Sequence, residues 1–71
     1  MPVFNTQLWT VPEVAARLQV DDETVRRYIR AGKLRATLFG ANSAGYRISE
    51  ESLQAFIQAG EERAAERNRQ L

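Results

Sequence analysis

Two short helical patterns, each punctuated at both ends and joined by a link of a few residues, restrict what this chain can fold into more than any other feature. The second of them, DDETVRRYIRAG at residues 21–32, shows it best. At about 100° per residue, Thr24, Val25, Tyr28 and Ile29 gather on one side of a helix and Glu23, Arg26, Arg27 and Arg30 on the other. Asp21 supplies a side-chain acceptor for the unpaired amides of the first turn, and Gly32 can take the left-handed conformation that ends the helix. So short a helix is not stable alone. Neighbours must hold its apolar side, which leaves the guanidinium side for something anionic. Upstream, Thr10-Val11-Pro12-Glu13 has the capping-box form, with Pro tolerated in the first turn. Val11, Val14, Ala15 and Leu18 then recur at i, i+3, i+4 and i+7, and the stripe ends near Leu18. The link Gln19-Val20-Asp21 forces the two helices to pack as a tight turned pair.

After Gly32 the period changes. Leu34, Ala36 and Leu38 alternate with Arg35, Thr37 and Phe39, and Tyr46-Arg47-Ile48 resumes the alternation after Gly40-Ala41-Asn42-Ser43-Ala44-Gly45, which predicts a β-hairpin. The small polar tip suits a close approach of backbone to a grooved partner and equally fits a mobile loop. Ser49 is placed to cap a third helix, with Glu50 and Glu51 at its positive end and Leu53, Phe56 and Ile57 toward the core. Gly60 is expected to interrupt that helix. Residues 61–71 carry mixed charges and only Ala64, Ala65 and Leu71 as apolar side chains, so they read as a solvated, frayed helix or as a disordered tail. In front, Val3, Phe4, Leu8 and Trp9 carry enough apolar surface for residues 1–9 to be a partly docked arm. The domain is thus expected over residues 10–60. Its core is expected to comprise Val14, Leu18, Val25, Ile29, Leu34, Leu53, Phe56 and Ile57, with Tyr28, Trp9 and Phe56 read as packing rather than base-stacking rings. Arg17 is expected to pair with Glu13 one turn earlier.

The 71 residues are near the lower limit for a self-supporting core and leave no room for an enclosed active site. With no Cys and no His, disulfides, thiolate chemistry, zinc fingers and His-based acid–base catalysis all drop out. No metal spacing or Gly-rich phosphate cradle is present, so neither an enzyme nor a cofactor is expected. No apolar run approaches the roughly 18 residues of a membrane span, and the first residues do not read as a secretion signal, so a cytoplasmic protein is expected. Net charge is only +1. Residues 1–49 hold seven basic against four acidic side chains, and residues 50–71 three against five. A basic front and an acidic tail is a faint nucleic-acid signal. A mixed-charge solvated surface reads equally well on charge alone.

Helix, tight turn, Arg-faced helix, hairpin and helix make a mainly α fold with a small β-hairpin, a winged helix-turn-helix. In that arrangement the second helix enters the major groove of duplex DNA and the hairpin reaches an adjacent groove or the backbone. The run LWTVPEVAARLQVDDETVRRYIRAGKLRA, followed by GYRISEESLQAFI, resembles the small excisionase-type domains of the MerR-like winged-helix superfamily, from about Leu8 to Ile57. The chain departs from them twice: Gln19 stands where they often have Gly in the turn, and the wing tip lacks the paired basic residues many carry.

The resemblance implies that Arg26, Arg27 and Arg30 meet the groove and phosphates and that Arg47 meets a phosphate at the wing base. The residues alone leave Arg47 free to pair with Glu50 or Glu51 instead. The full candidate DNA-contacting set is Glu23, Arg26, Arg27, Arg30, Lys33, Arg35, Asn42, Ser43 and Arg47. The resemblance also implies a phage or mobile-element recombination directionality factor. Such a factor binds arm DNA beside an attachment site as adjacent copies, bends it, and helps an integrase assemble for excision. Two other readings compete. A minimal MerR-like transcription regulator would add a long dimerisation helix, for which the residues after Gly60 look too few. A winged-helix protein–protein adaptor would use the fold without DNA, and a salt titration against random duplex would then show no steep counterion dependence.

Overall fold

The computed structural model describes residues 7–40 and 45–69. Val3 and Phe4 of the expected arm, the tip residues Asn42 and Ser43, and Leu71 lie outside them. In chain order the elements are β1 (Leu8–Trp9), α1 (Val11–Leu18), α2 (Asp22–Arg30), β2 (Thr37–Leu38), β3 (Tyr46–Ser49) and α3 (Glu50–Arg69). Three helices and a small antiparallel sheet ordered β1-β3-β2 form a winged helix-turn-helix.

The capping box of α1 forms in full. Thr10 Oγ1 accepts from the Glu13 amide at 3.2 Å, and Glu13 Oε1 accepts from the Thr10 amide at 2.8 Å, which holds the Glu13 carboxyl below its ordinary range. At its other end Gln19 takes the left-handed conformation, φ 59°, and its amide bonds back to the Ala15 and Ala16 carbonyls. A side chain in that region costs about 1–2 kcal/mol, and the packed helix pair holds it there. Asp21 then caps α2, its Oδ1 accepting from the Thr24 amide at 2.8 Å, and the Thr24 hydroxyl together with that amide holds the Asp21 carboxyl below its ordinary range.

The buried core is Val11, Val14, Ala15, Val25, Leu34, Ile48 and Leu53. Of the expected set, Leu18, Ile29, Phe56 and Ile57 are only half-buried and pack around this centre. Ile48 takes the central place because β3 is the middle strand, flanked on both edges and covered by helices. Leu8 and Trp9 pair with Ser49 and Ile48, so these two residues dock as an edge strand.

Two further expectations are corrected. The hairpin is shorter than the alternation suggested: only Thr37 and Leu38 pair with β3, opposite Arg47 and Tyr46, and Leu38, which continues the apolar face of Leu34 and Ala36, lies in solvent, as does Phe39 on the other face. Sheet pairing here outruns the width of the core, so the outer half of the apolar alternation has nothing to cover. Gly60 does not interrupt α3, which runs unbroken from Glu50 to Arg69. Ser49 does start it as expected, its Oγ accepting from the Ser52 amide at 3.1 Å.

Arg17 does not pair with Glu13. Glu13 is occupied by the capping box, and Arg17 crosses to Glu50, with Nη1 2.6 Å from Oε1 and Nη2 3.3 Å from Oε2. Its guanidinium also lies 5.2 Å from the Trp9 ring centroid, and Trp9 Nε1 donates to the same Glu50 Oε1 at 2.8 Å. One carboxylate therefore ties β1, α1 and α3 together.

Candidate nucleic-acid interface

Helix α2 is held from one side only. Val25 is fully buried, and the Tyr28 ring meets Phe56 of α3 with centroids 4.9 Å apart at a tilted 42°. On the opposite side Glu23, Arg27 and Arg30 are exposed. Arg26 is not wholly on that open face: its side chain is 29% exposed, and Nε is shielded from solvent without a hydrogen-bond partner. Glu23 organises the cluster. Its Oε2 accepts from Arg30 Nη2 at 2.6 Å, and its Oε1 lies 3.7 Å from Arg26 Nη1. The Arg30 hydrogen bond, with the nearby positive charges, holds the Glu23 carboxyl below its ordinary range. The expected cluster of guanidiniums is thus partly neutralised from within, leaving Arg27 outside these Glu23 pairs. A solvent-exposed pair of this kind is weak, so a stronger acceptor can displace Glu23.

The end of α2 is joined rigidly to the wing. The Ala31 amide bonds to Arg27 O at 2.9 Å, Gly32 turns the chain at φ +78°, and the amides of Lys33 and Leu34 both donate to Tyr28 O, at 2.9 and 3.2 Å. Lys33 and Arg35 follow as exposed side chains, while Leu34 between them is buried. The Arg face of α2 and the start of the wing are therefore presented together.

At the wing base, Arg35, Ala36, Thr37, Arg47, Ser49 and Ser52 line an open recess of about 160 Å³. Arg47 is half-buried, donates from Nη1 to Tyr46 O at 2.8 Å, and adds to the lowering of the Glu13 carboxyl. Glu50, one of the two partners the sequence offered it, is engaged by Arg17, Trp9 and Gln54. Thr37, Ser49 and Ser52 were not among the candidate residues. The alternation of the hairpin was the available signal for Thr37 and Ser49, since side chains two apart share a face with Arg35 and Arg47. Ser52 was read only as a member of the third helix.

A family model described as a helix-turn-helix domain matches residues 10–61. The chain belongs to the helix-turn-helix domain family. The match takes in both helices of the turned pair, the hairpin and the first turns of α3, and comparison with curated proteins and with solved structures gives no match. This family of DNA-binding domains, typically non-enzymatic, includes excisionase-like proteins, and membership points to double-stranded DNA as the ligand of the helix-turn-helix domain. Among the described residues of the domain, no helix is long and apolar enough to cross a membrane.

Proposed function

We propose that this helix-turn-helix domain is an excisionase, a recombination directionality factor that binds and bends attachment-site DNA so that an integrase is directed toward excision. The observation carrying the reading is α2 itself: a capped helix packed through Val25 and Tyr28, with Arg27 and Arg30 exposed, Arg26 at their edge, and the wing fixed to its end. In the proposed complex α2 lies in the major groove. Arg26, Arg27 and Arg30 contact bases and phosphates, and Glu23 exchanges its internal partners for a base-edge donor. Lys33, Arg35 and Arg47, with Asn42 and Ser43 at the tip, follow the backbone alongside. Adjacent copies bind head to tail, because each added copy contributes its own phosphate neutralisation and a share of the bend.

One observation favours a second reading. Helix α3 continues past Gly60 to Arg69, and residues 61–68 are exposed along it. A MerR-like regulator, which the sequence also resembles, would use a helix in that place to dimerise. The symmetry of the footprint separates the two, and a salt titration tests the duplex binding that both require. The excisionase reading expects a footprint of direct repeats and a steep fall of affinity with salt. Removing Arg26 or Arg30 should cost about 1–3 kcal/mol where the guanidinium grips a base, or lower the salt slope by about 1 where it meets phosphate. Two inverted half-sites would favour the regulator. Unchanged affinity and slope in both Arg variants would sink the assignment of α2.

A further inference from the structure

Phe39 and Leu38 are large apolar side chains left in solvent, 56% and 48% exposed, at the outer end of the wing. Neither lies over the core, and successive strand residues face opposite ways, so they do not merge into one flat patch of the size that marks protein–protein docking. Leu38 continues the face of Leu34 and Ala36 past the edge of the core. Phe39 shares the other face with Arg35 and Thr37, and Thr37 is paired with Arg47 across the hairpin. This face has guanidiniums and hydroxyls at its base, around the recess of Arg35, Thr37, Arg47, Ser49 and Ser52, and an exposed aromatic ring at its end.

The backbone fixes that ring's position. The Phe39 amide donates to Gly45 O at 2.8 Å, the outermost described link between the two arms of the wing. A Cβ on Gly45 would stand 1.7 Å from Phe39 O, so only glycine allows the two arms to close there. Gly40, at φ +103°, then turns the chain away. Phe39 is therefore the last described side chain on the outgoing arm before the tip, carried on pinned backbone rather than on the loop itself.

Cationic and hydroxyl donors beside a single projecting apolar ring match the chemistry of a DNA minor groove, whose two walls are phosphate and whose floor is stacked base edges. Phe is among the side chains that wedge between base steps there, each such insertion bending the duplex by about 20–90° toward the major groove. We infer that Phe39 is such a wedge: with α2 in the major groove, the ring enters the neighbouring minor groove and partly unstacks one base step, while Arg35 and Arg47 hold the phosphate wall. This rests on the DNA-binding reading above and gives the proposed bend a residue.

The test uses the full chain and a duplex carrying the wild-type footprint, with a dye at each end and 2-aminopurine at successive steps under the wing. Wild type should shorten the end-to-end distance and brighten one 2-aminopurine step. Phe39→Ala should lose both signals while keeping the wild-type salt slope, because no phosphate contact is removed. Phe39→Leu, which keeps an apolar wedge, should retain much of each. A wild-type melt for Phe39→Ala is expected from its exposure and excludes unfolding as the cause. Binding by Phe39→Ala with the bend and the 2-aminopurine signal intact would overturn the wedge alone. So would an unchanged bend per copy with lost cooperativity between copies, which would make the ring a protein–protein contact. Absence of duplex binding by wild type would overturn the wedge together with the reading it rests on.

Discussion

Glu50 accepts hydrogen bonds from Trp9 Nε1, both Arg17 Nη atoms and Gln54 Nε2. The Arg17 bond, then Gln54 and Trp9, holds its carboxyl at about 2 against an ordinary 4.5. A depressed carboxyl contributes stability that is complete above the ordinary value and is lost as pH falls through the folded one. The Glu50→Gln variant should therefore be less stable than wild type at pH 7, and the gap should narrow between pH 4.5 and about 2. Melts followed by the single Trp measure it, and a gap constant over that range would show that the Glu50 charge is not what fastens the three elements. Half of this residue's role was legible in the sequence: a carboxylate at a helix start after Ser49. The partners were not, because Trp9 and Arg17 come to it only through strand pairing and helix packing, neither of which leaves a local spacing. The expected Arg17–Glu13 pair failed for a related reason, since capping had already claimed Glu13.

At the scale of elements, the two glycines Gly32 and Gly60 show where sequence punctuation is informative and where it misleads. Gly32 adopts a positive φ and ends α2, whereas Gly60 sits inside α3 with nothing within 4 Å of where a Cβ would be. Glycine in a helix interior costs only about 0.8–1.0 kcal/mol relative to Ala, and the Glu, Arg and Ala residues that follow Gly60 are strong helix formers. Lys33 and Leu34, by contrast, are followed by an extended chain. Gly60→Ala should accordingly stabilise the protein by up to about 1 kcal/mol and raise its helical circular dichroism near the melt. A lower midpoint in urea would mean that Gly60 serves a close contact made by another molecule. The caps at Thr10, Asp21 and Ser49 were readable because each needs one side chain and one amide three residues away. The lengths of β2 and α3 were not, because they depend on how far the core and the helix propagate.

At the scale of the molecule, stability rests on a centre that comprises, among the described residues, seven small and medium apolar side chains. The domain should lose about 2–5 kcal/mol on Leu53→Ala, at the fully buried position of α3, a large share of the roughly 5–15 kcal/mol available to a small domain. Leu18→Ala, at a half-buried rim position, should cost clearly less. Urea melts of the two variants check this, and equal losses would place Leu18 in the true centre. The fold class was legible because capped stripes and a change of period specify it. The candidate interface was legible as a set of side chains on α2, but the grip of Glu23 on Arg30 and the exposure of Phe39 depend on which faces the core leaves uncovered.

The pairing of β1 with β3 has a consequence in time. Leu8 and Trp9 find their partners at Ser49 and Ile48, and Trp9 finds its hydrogen bond at Glu50, 41 residues on. A chain emerging from its N-terminus has made α1, α2 and most of the hairpin before these contacts become possible, and closing so long a loop must await the rest. The earliest strand to be synthesised is thus the last to be locked, and Trp9 fluorescence during refolding reports the closing step rather than the first.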